Sequence, residues 1–179
     1  MATYVALLYS IIIDANRRVV MSELRAIAES AGSTNVRTLA STGNLVFDFR
    51  ARSINAVEKS LEAEFSAFYG KHVDVIVKTA AEWKAIVAGN PFRAEAEAEP
   101  DRVHVRVMRD TPRADLIGFL EPYLGVGERV QVVDGQVWVY FSGPSSLSKL
   151  PAQLTPRRMG GTGTARNWNT VRRLGEFLA

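Results

Sequence analysis

The chain has 179 residues, 22 basic and 19 acidic, a formal net charge of +3, no cysteine and two histidines. That length suits one compact domain or two small subdomains sharing a core, and an apolar fraction of 47% excludes a wholly disordered chain. The absence of cysteine excludes disulfides, thiolate nucleophiles and cysteine-ligated zinc. With only two histidines, no His-rich metal centre and no cofactor are expected.

The residues Met1 to Val5 carry no basic run ahead of an apolar stretch, so no secretory signal is expected. The longest apolar run, about Val5 to Ile13, is interrupted by Ser10 and falls far short of the ~20 residues that cross a bilayer. A soluble, cytoplasmic protein without a membrane partner is the expectation.

Thr3 to Ile13 is rich in β-branched and aromatic residues on both faces and predicts a central strand. Met21, Leu24, Ile27, Ala28 and Ala31 follow at helical spacing, with Gly32 placed to end the helix. Val36 to Leu39 and Asn44 to Phe49 read as strands joined by the turn composition Ser41-Thr42-Gly43-Asn44. Ser53 can cap a helix with the stripe Val57, Leu61, Phe65 and Phe68, stopped by Gly70. Val73, Val75 and Val77 alternate as a strand. The order β-α-β-β-α-β is the split, ferredoxin-like arrangement of one antiparallel sheet and two helices.

Thr79-Ala80-Ala81-Glu82 is a capping box that opens a short helix carrying Trp83, Ile86 and Val87. Residues 94–101, which alternate Ala and Glu before Pro100, predict a solvated connector. The expected organisation is residues 1–90 as the ferredoxin-like subdomain and 91–179 as a second, smaller and related α+β subdomain. In that second half Val103, Val105 and Val107 alternate with His104 and Arg106 as a strand. Thr111-Pro112 suggests an N-cap followed by proline at the first helical position, before Leu116, Phe119 and Leu120. Val130 to Phe141 is a hairpin, with Asp134-Gly135 suited to a type I′ turn. A short helical piece is expected near Ser145 to Leu150, then an Arg- and Gly-rich loop from Thr155 to Thr164. A last helix is expected from about Asn167, burying Trp168, Val171, Leu174 and Phe177 or Leu178.

Several stretches together resemble a bacterial family known as domain of unknown function 1697. They are Tyr4-Val5-Ala6-Leu7-Leu8, Met21-Ser22-Glu23-Leu24-Arg25, Thr42-Gly43-Asn44-Leu45-Val46-Phe47, Asn90-Pro91-Phe92 and Thr164-Ala165-Arg166-Asn167-Trp168-Asn169-Thr170-Val171. The resemblance covers nearly the full length. It implies ferredoxin-like subdomains and no established activity. Where the family reads Arg-Gly-Ile-Asn-Val-Gly-Gly after its first strand, this chain has Tyr9-Ser10-Ile11-Ile12-Ile13-Asp14-Ala15. A Gly-rich turn presents backbone N–H groups to an anion. Apolar bulk and a carboxylate remove that option here.

Charge then draws attention to the C-terminus. Residues 155–179 hold five Arg against Glu176 alone, a net +4, while residues 1–154 carry −1. Arg157 and Arg158 precede Gly160, Gly161 and Gly163, and Arg166-Asn167-Trp168 follow them. Arg forks pair with phosphate, and glycines let backbone approach a ligand. A solvated loop that docks the final helix accounts for the same residues. Asn167 can contact a ligand or cap the helix, and Trp168 can stack on a base or anchor the core. Thr42 and Asn44 offer a hydroxyl and an amide to a ligand, or simply close their turn. His104 and Arg106 share one face of a strand, as an acid–base pair or as structural residues. The expectation is a non-catalytic binding module for a phosphorylated small molecule or nucleic acid. A small enzyme with a cleft between subdomains and a self-associating protein are the alternatives, and the oligomeric state is left open.

Overall fold

The computed structural model describes residues 1–51 and 53–179. It divides into two compact units, Met1–Lys84 with Leu174–Ala179, and Ala85–Arg173. The expected boundary was residue 90; the division falls inside a helix between Lys84 and Ala85, and the last residues group with the first unit.

The first unit contains β1 (Ala2–Leu8), α1 (Met21–Ser30), β2 (Thr34–Leu39), β3 (Asn44–Phe49), α2 (Ile54–Tyr69) and β4 (Val75–Thr79). Its sheet is antiparallel throughout, in the order β2-β3-β1-β4. This is the ferredoxin-like βαββαβ topology. One sheet face carries Tyr4, Ala6, Leu8, Leu45, Phe47, Val75 and Val77 against Leu24 and Ile27 of α1 and Val57, Leu61 and Phe65 of α2. Burying each of the Val, Leu, Ile and Phe side chains among them is worth about 1.5–3 kcal/mol. Ser53 caps α2 by accepting the Ala56 N–H at 3.2 Å, and Gly70 closes it in the left-handed region at φ 68°. The buried stripe of α2 ends on Tyr69, whereas Phe68 is 48% exposed; the helix phase favours the residue one step further on.

The first strand stops at Leu8, short of the expected Ile13. The chain then folds back on itself: Val19 N–H donates to the Ile11 carbonyl at 2.8 Å, and Ile12 bridges Arg18. Lys71 Nζ donates to the Ile12 and Ile13 carbonyls at 3.1 and 2.9 Å. Ile13 is buried and Ile12 half exposed. The β-branched run therefore forms a tethered loop, because β4 and β3 already pair with both edges of β1 and neither continues past Leu8.

The sequence Thr79-x-x-Glu82 forms its capping box at α3 (Ala80–Ala88). Glu82 Oε2 accepts from Thr79 N at 2.7 Å, and Thr79 Oγ1 accepts from Glu82 N at 3.1 Å. Residues 94–101 are not a solvated connector. Arg93–Ala98 form α4, followed by a 3₁₀ turn at Pro100–Arg102. Ala and Glu are strong helix formers, and the Arg129 guanidinium ties Glu95 down while lying over the Phe92 and Tyr140 rings.

The second unit repeats the topology with β5 (Val103–Met108), α5 (Leu116–Leu120), β6 (Arg129–Val133), β7 (Gln136–Tyr140), α6 (Pro156–Met159) and β8 (Gly163–Asn167), followed by α7 (Trp168–Glu176). Its antiparallel sheet has the order β6-β7-β5-β8, again second, third, first and fourth strand. Asp134 and Gly135 both have positive φ, 47° and 76°, as a type I′ turn requires. Helix α5 begins at Leu116, later than Thr111-Pro112 suggested; Asp115 precedes it and accepts the Phe119 N–H on its carbonyl at 3.0 Å, while its carboxylate is held by Arg113. The expected loop over 155–164 is instead the helical turn α6 and the start of edge strand β8. In the first unit Arg37 Nη2 donates to the Phe177 carbonyl at 2.8 Å and its guanidinium lies over the Phe177 ring. No helix among the described residues is long and apolar enough to cross a membrane.

Candidate functional site

The Arg- and Gly-rich segment is tied to its own unit. The Thr155 carbonyl accepts from Arg158 and Met159, and Met159 is fully buried. Gly160 closes α6 in the left-handed region, and the Gly161 N–H donates to the Pro156 carbonyl at 3.0 Å. The Thr162 N–H donates to Asp110 Oδ2 at 2.9 Å. A carboxylate thus stands where an incoming anion would meet that N–H. Gly163 is required by proximity. A Cβ there would lie 2.5 Å from Met108 Sδ and 2.8 Å from the Val107 carbonyl, across the β5–β8 pairing.

Arg157 and Arg158 are exposed on α6. Arg158 donates to Gln153 Oε1, and Arg157 has no hydrogen-bond or ion-pair partner among the described residues. The neighbouring Arg113 is engaged by the Asp115 carboxylate, with Nε–Oδ1 at 2.5 Å and Nη2–Oδ2 at 2.7 Å. This pairing holds Asp115 below the usual carboxylate range and raises Arg113.

Arg166 on β8 is 9% exposed and donates to Thr164 Oγ1 and the Ala165 carbonyl at 3.0 and 2.8 Å. Burial pulls its guanidinium pKa down to about 10, so it remains charged at neutral pH. Asn167 Oδ1 accepts the Thr170 N–H at 3.0 Å and caps α7. Trp168 is half-buried, its ring 6.1 Å from that of Trp138 at 51°. The run Arg166-Asn167-Trp168 is therefore fastened by contacts internal to the second unit.

Thr42 and Asn44 lie in the β2–β3 turn of the first unit. Asn44 is fully buried and donates through Nδ2 to the Leu39 carbonyl and Thr42 Oγ1, both at 2.8 Å. Gly43 has φ 78°, and a Cβ on it would sit 2.8 Å from Leu8 Cβ. The Thr-Gly-Asn stretch closes the hairpin against β1. Ser41 and Thr42 belong to one unit, Arg166 and Asn167 to the other.

A second locus lies on the face of the second sheet that carries Met108, Val139 and Phe141. His104 and Arg106 alternate on that face of β5, in register with Val139 and Val137. With Phe141, Pro151, Leu154 and Ala165 they line a cavity of about 180 Å³. The His104 ring meets Phe141 edge-on at 4.9 Å, and its Nε2–H donates to the Asp101 carbonyl at 2.9 Å. Burial holds the imidazole below its ordinary pKa, so it is neutral at pH 7. The alternation of residues 103–107 indicated that the two side chains share a face. Val139 and Ala165 add walls from β7 and β8, whereas Ser145 and Pro151 come from 3₁₀ turns, which carry no periodicity to read. Among the described residues, Glu62, His72 and Asp74 bring potential metal-ligand atoms within 4.8 Å of one another; His72 is exposed and lies 3.2 Å from Asp74 Oδ1.

The family described as "Protein of unknown function (DUF1697)" matches residues 1–138. No curated protein matches the chain. Among solved structures, that of the conserved bacterial protein SP0830 from Streptococcus pneumoniae is similar. It is 22% identical, with a TM-score of 0.77 over 99% of both chains. At that identity the likeness shows the fold alone.

Proposed function

The chain belongs to the DUF1697 family of proteins of unknown function, and within it we propose a non-catalytic binding module for a phosphate-bearing partner. That partner is a phosphorylated small molecule or a nucleic acid. The observation that carries this reading is Arg157. It is an exposed guanidinium beside exposed Arg158, with no internal hydrogen bond or ion pair among the described residues. The net +4 of residues 155–179 supports it, since a local positive field steers anions. The binding surface in this reading is the outside of α6; the glycine backbone that follows is engaged internally. Within this reading the setting is the bacterial cytoplasm, where a phosphorylated metabolite or a nucleic acid would be met.

The test is fluorescence polarisation with labelled oligonucleotides and nucleotides across a salt series. Binding is expected to weaken steeply with salt. Each lost phosphate contact should remove about 0.9 from the log–log slope on duplex DNA. The double variant Arg157→Ala/Arg158→Ala should flatten that slope by up to about two such steps. Absence of binding at low salt to every probe would end this reading.

A further inference from the structure

We propose that β6 is a self-pairing edge, through which two copies of the chain join antiparallel along Arg129–Val133 into one continuous sheet. The surface lies wholly within the second unit and does not depend on the arginines of α6.

The hydrogen-bond pattern leaves this edge open. The two-residue turn Asp134-Gly135 makes Val133 and Gln136 a hydrogen-bonded pair, so Gln131 and Arg129 also bond to β7. Val130 and Val132 then turn their N–H and carbonyl groups to the outside of the sheet. Among the described residues none of these four groups has a hydrogen-bond partner. Gln131 and Val132 are exposed along the strand.

The equivalent edge of the first unit is guarded, and β6 is not. The register of β2 with β3 shifts between Thr34 and Arg37, Asn35 has a left-handed φ of 51°, and Arg37 holds the Phe177 carbonyl and ring. Irregularity, charge and cover are the ordinary guards against edge-to-edge pairing. In β6 the residues Arg129–Val133 pair in unbroken register, with no positive φ before the turn. Its one charge, Arg129, is taken up by the Glu95 carboxylate and lies over the Phe92 and Tyr140 rings. The edge therefore meets its own copy without opposed charges.

Symmetry favours a second copy as the occupant. An antiparallel edge pair has its two-fold axis perpendicular to the sheet, so each contact is made twice. With the axis at Gln131, Val130 of each copy faces Val132 of the other, and all four outward groups of each strand are satisfied. The same axis sets both α5 helices on one face of the joined sheet. Helix α5 packs beside β6 and leaves Ile117 45% exposed. Val132, 40% exposed, lies on that face too, since it pairs with Val137, which packs with Leu116 and Leu120 of α5. These apolar side chains extend the contact beyond the backbone pairs, as a stable interface requires.

Sedimentation velocity on the full chain, from about 5 to about 500 µM, should show the mass move from 19.7 kDa towards twice that value. Amide hydrogen exchange at the two concentrations locates the contact. The Val130 and Val132 N–H groups should slow by about tenfold or more, with Arg129 and Gln131, already bonded to β7, as the internal reference. Val132→Pro removes an outward N–H and no bond to β7, so the variant should fold yet dimerise at least about tenfold more weakly. A chain that stays monomeric at about 500 µM overturns the proposal and would leave the edge to a strand of another protein. A dimer whose Val130 and Val132 amides exchange as in the monomer overturns it, as does undiminished dimerisation of folded Val132→Pro. The exchange comparison uses the unaltered chain, so it decides the matter even if the variant fails to fold.

Discussion

Asp110 and Thr162 are joined by a 2.9 Å bond from the Thr162 N–H to the Asp110 carboxylate, and the Arg109 N–H donates to the Thr162 carbonyl at 2.8 Å. These contacts hold the glycine run onto the end of β5. Asp110→Ala should cost about 1 kcal/mol, the usual net worth of such a bond, while Asp110→Asn should recover most of it. Urea denaturation of the three proteins checks this. Equal stability of all three would show that the carboxylate does not hold the segment.

Gly43 and Gly135 share a left-handed backbone but differ in their surroundings. A Cβ at Gly43 would meet Leu8 at 2.8 Å, whereas one at Gly135 has nothing within 4 Å. Gly135→Ala should cost only the backbone term, about 1–2 kcal/mol. Gly43→Ala should add a steric cost of about 1–3 kcal/mol. Denaturation midpoints measured side by side isolate the Leu8 contact; equal losses would remove it from the account.

Tyr69 links pH to the stability of the first unit. Its hydroxyl donates to Glu23, and Arg17 lies over its ring. Burial, reinforced by that hydrogen bond, raises its pKa from 10.0 to about 12. The folded state therefore holds the phenolic proton more tightly than the unfolded chain does. Its contribution is complete below pH 10 and is lost as the pH rises towards 12. Tyr69→Phe should flatten the stability profile across that window. A profile unchanged by the substitution would mean that another group titrates there.

Local chemistry made much of this fold legible. Ser53, Gly70, the Thr79–Glu82 box and the Asp134-Gly135 turn act over three or four residues, and the structure uses each as the sequence suggests. The strand β8 was hidden because Gly163-Thr164-Ala165-Arg166-Asn167 has neither alternation nor β-branched weight. It is a strand because β5 offers it an edge, and its glycine is dictated by Met108 across that pairing. The Ile11-Ile12-Ile13 run misled in the opposite sense: its strand propensity found no edge to pair with. Arg157 and Arg158 could be located from charge alone. The walls around Arg106 could not, because they depend on where irregular turns land.

The contact between Arg37 and Phe177 spans 140 positions of the chain. Closing a loop of that length costs entropy that grows as about (3/2)RT ln n. This contact is therefore expected to form after the local hairpins and helices of the first unit. A chain still on the ribosome can assemble β1 to β4 and their helices, yet it cannot seat Phe177 beside Arg37 until residue 177 has emerged. For that unit, the emergence of residue 177 from the ribosome is itself a step in folding.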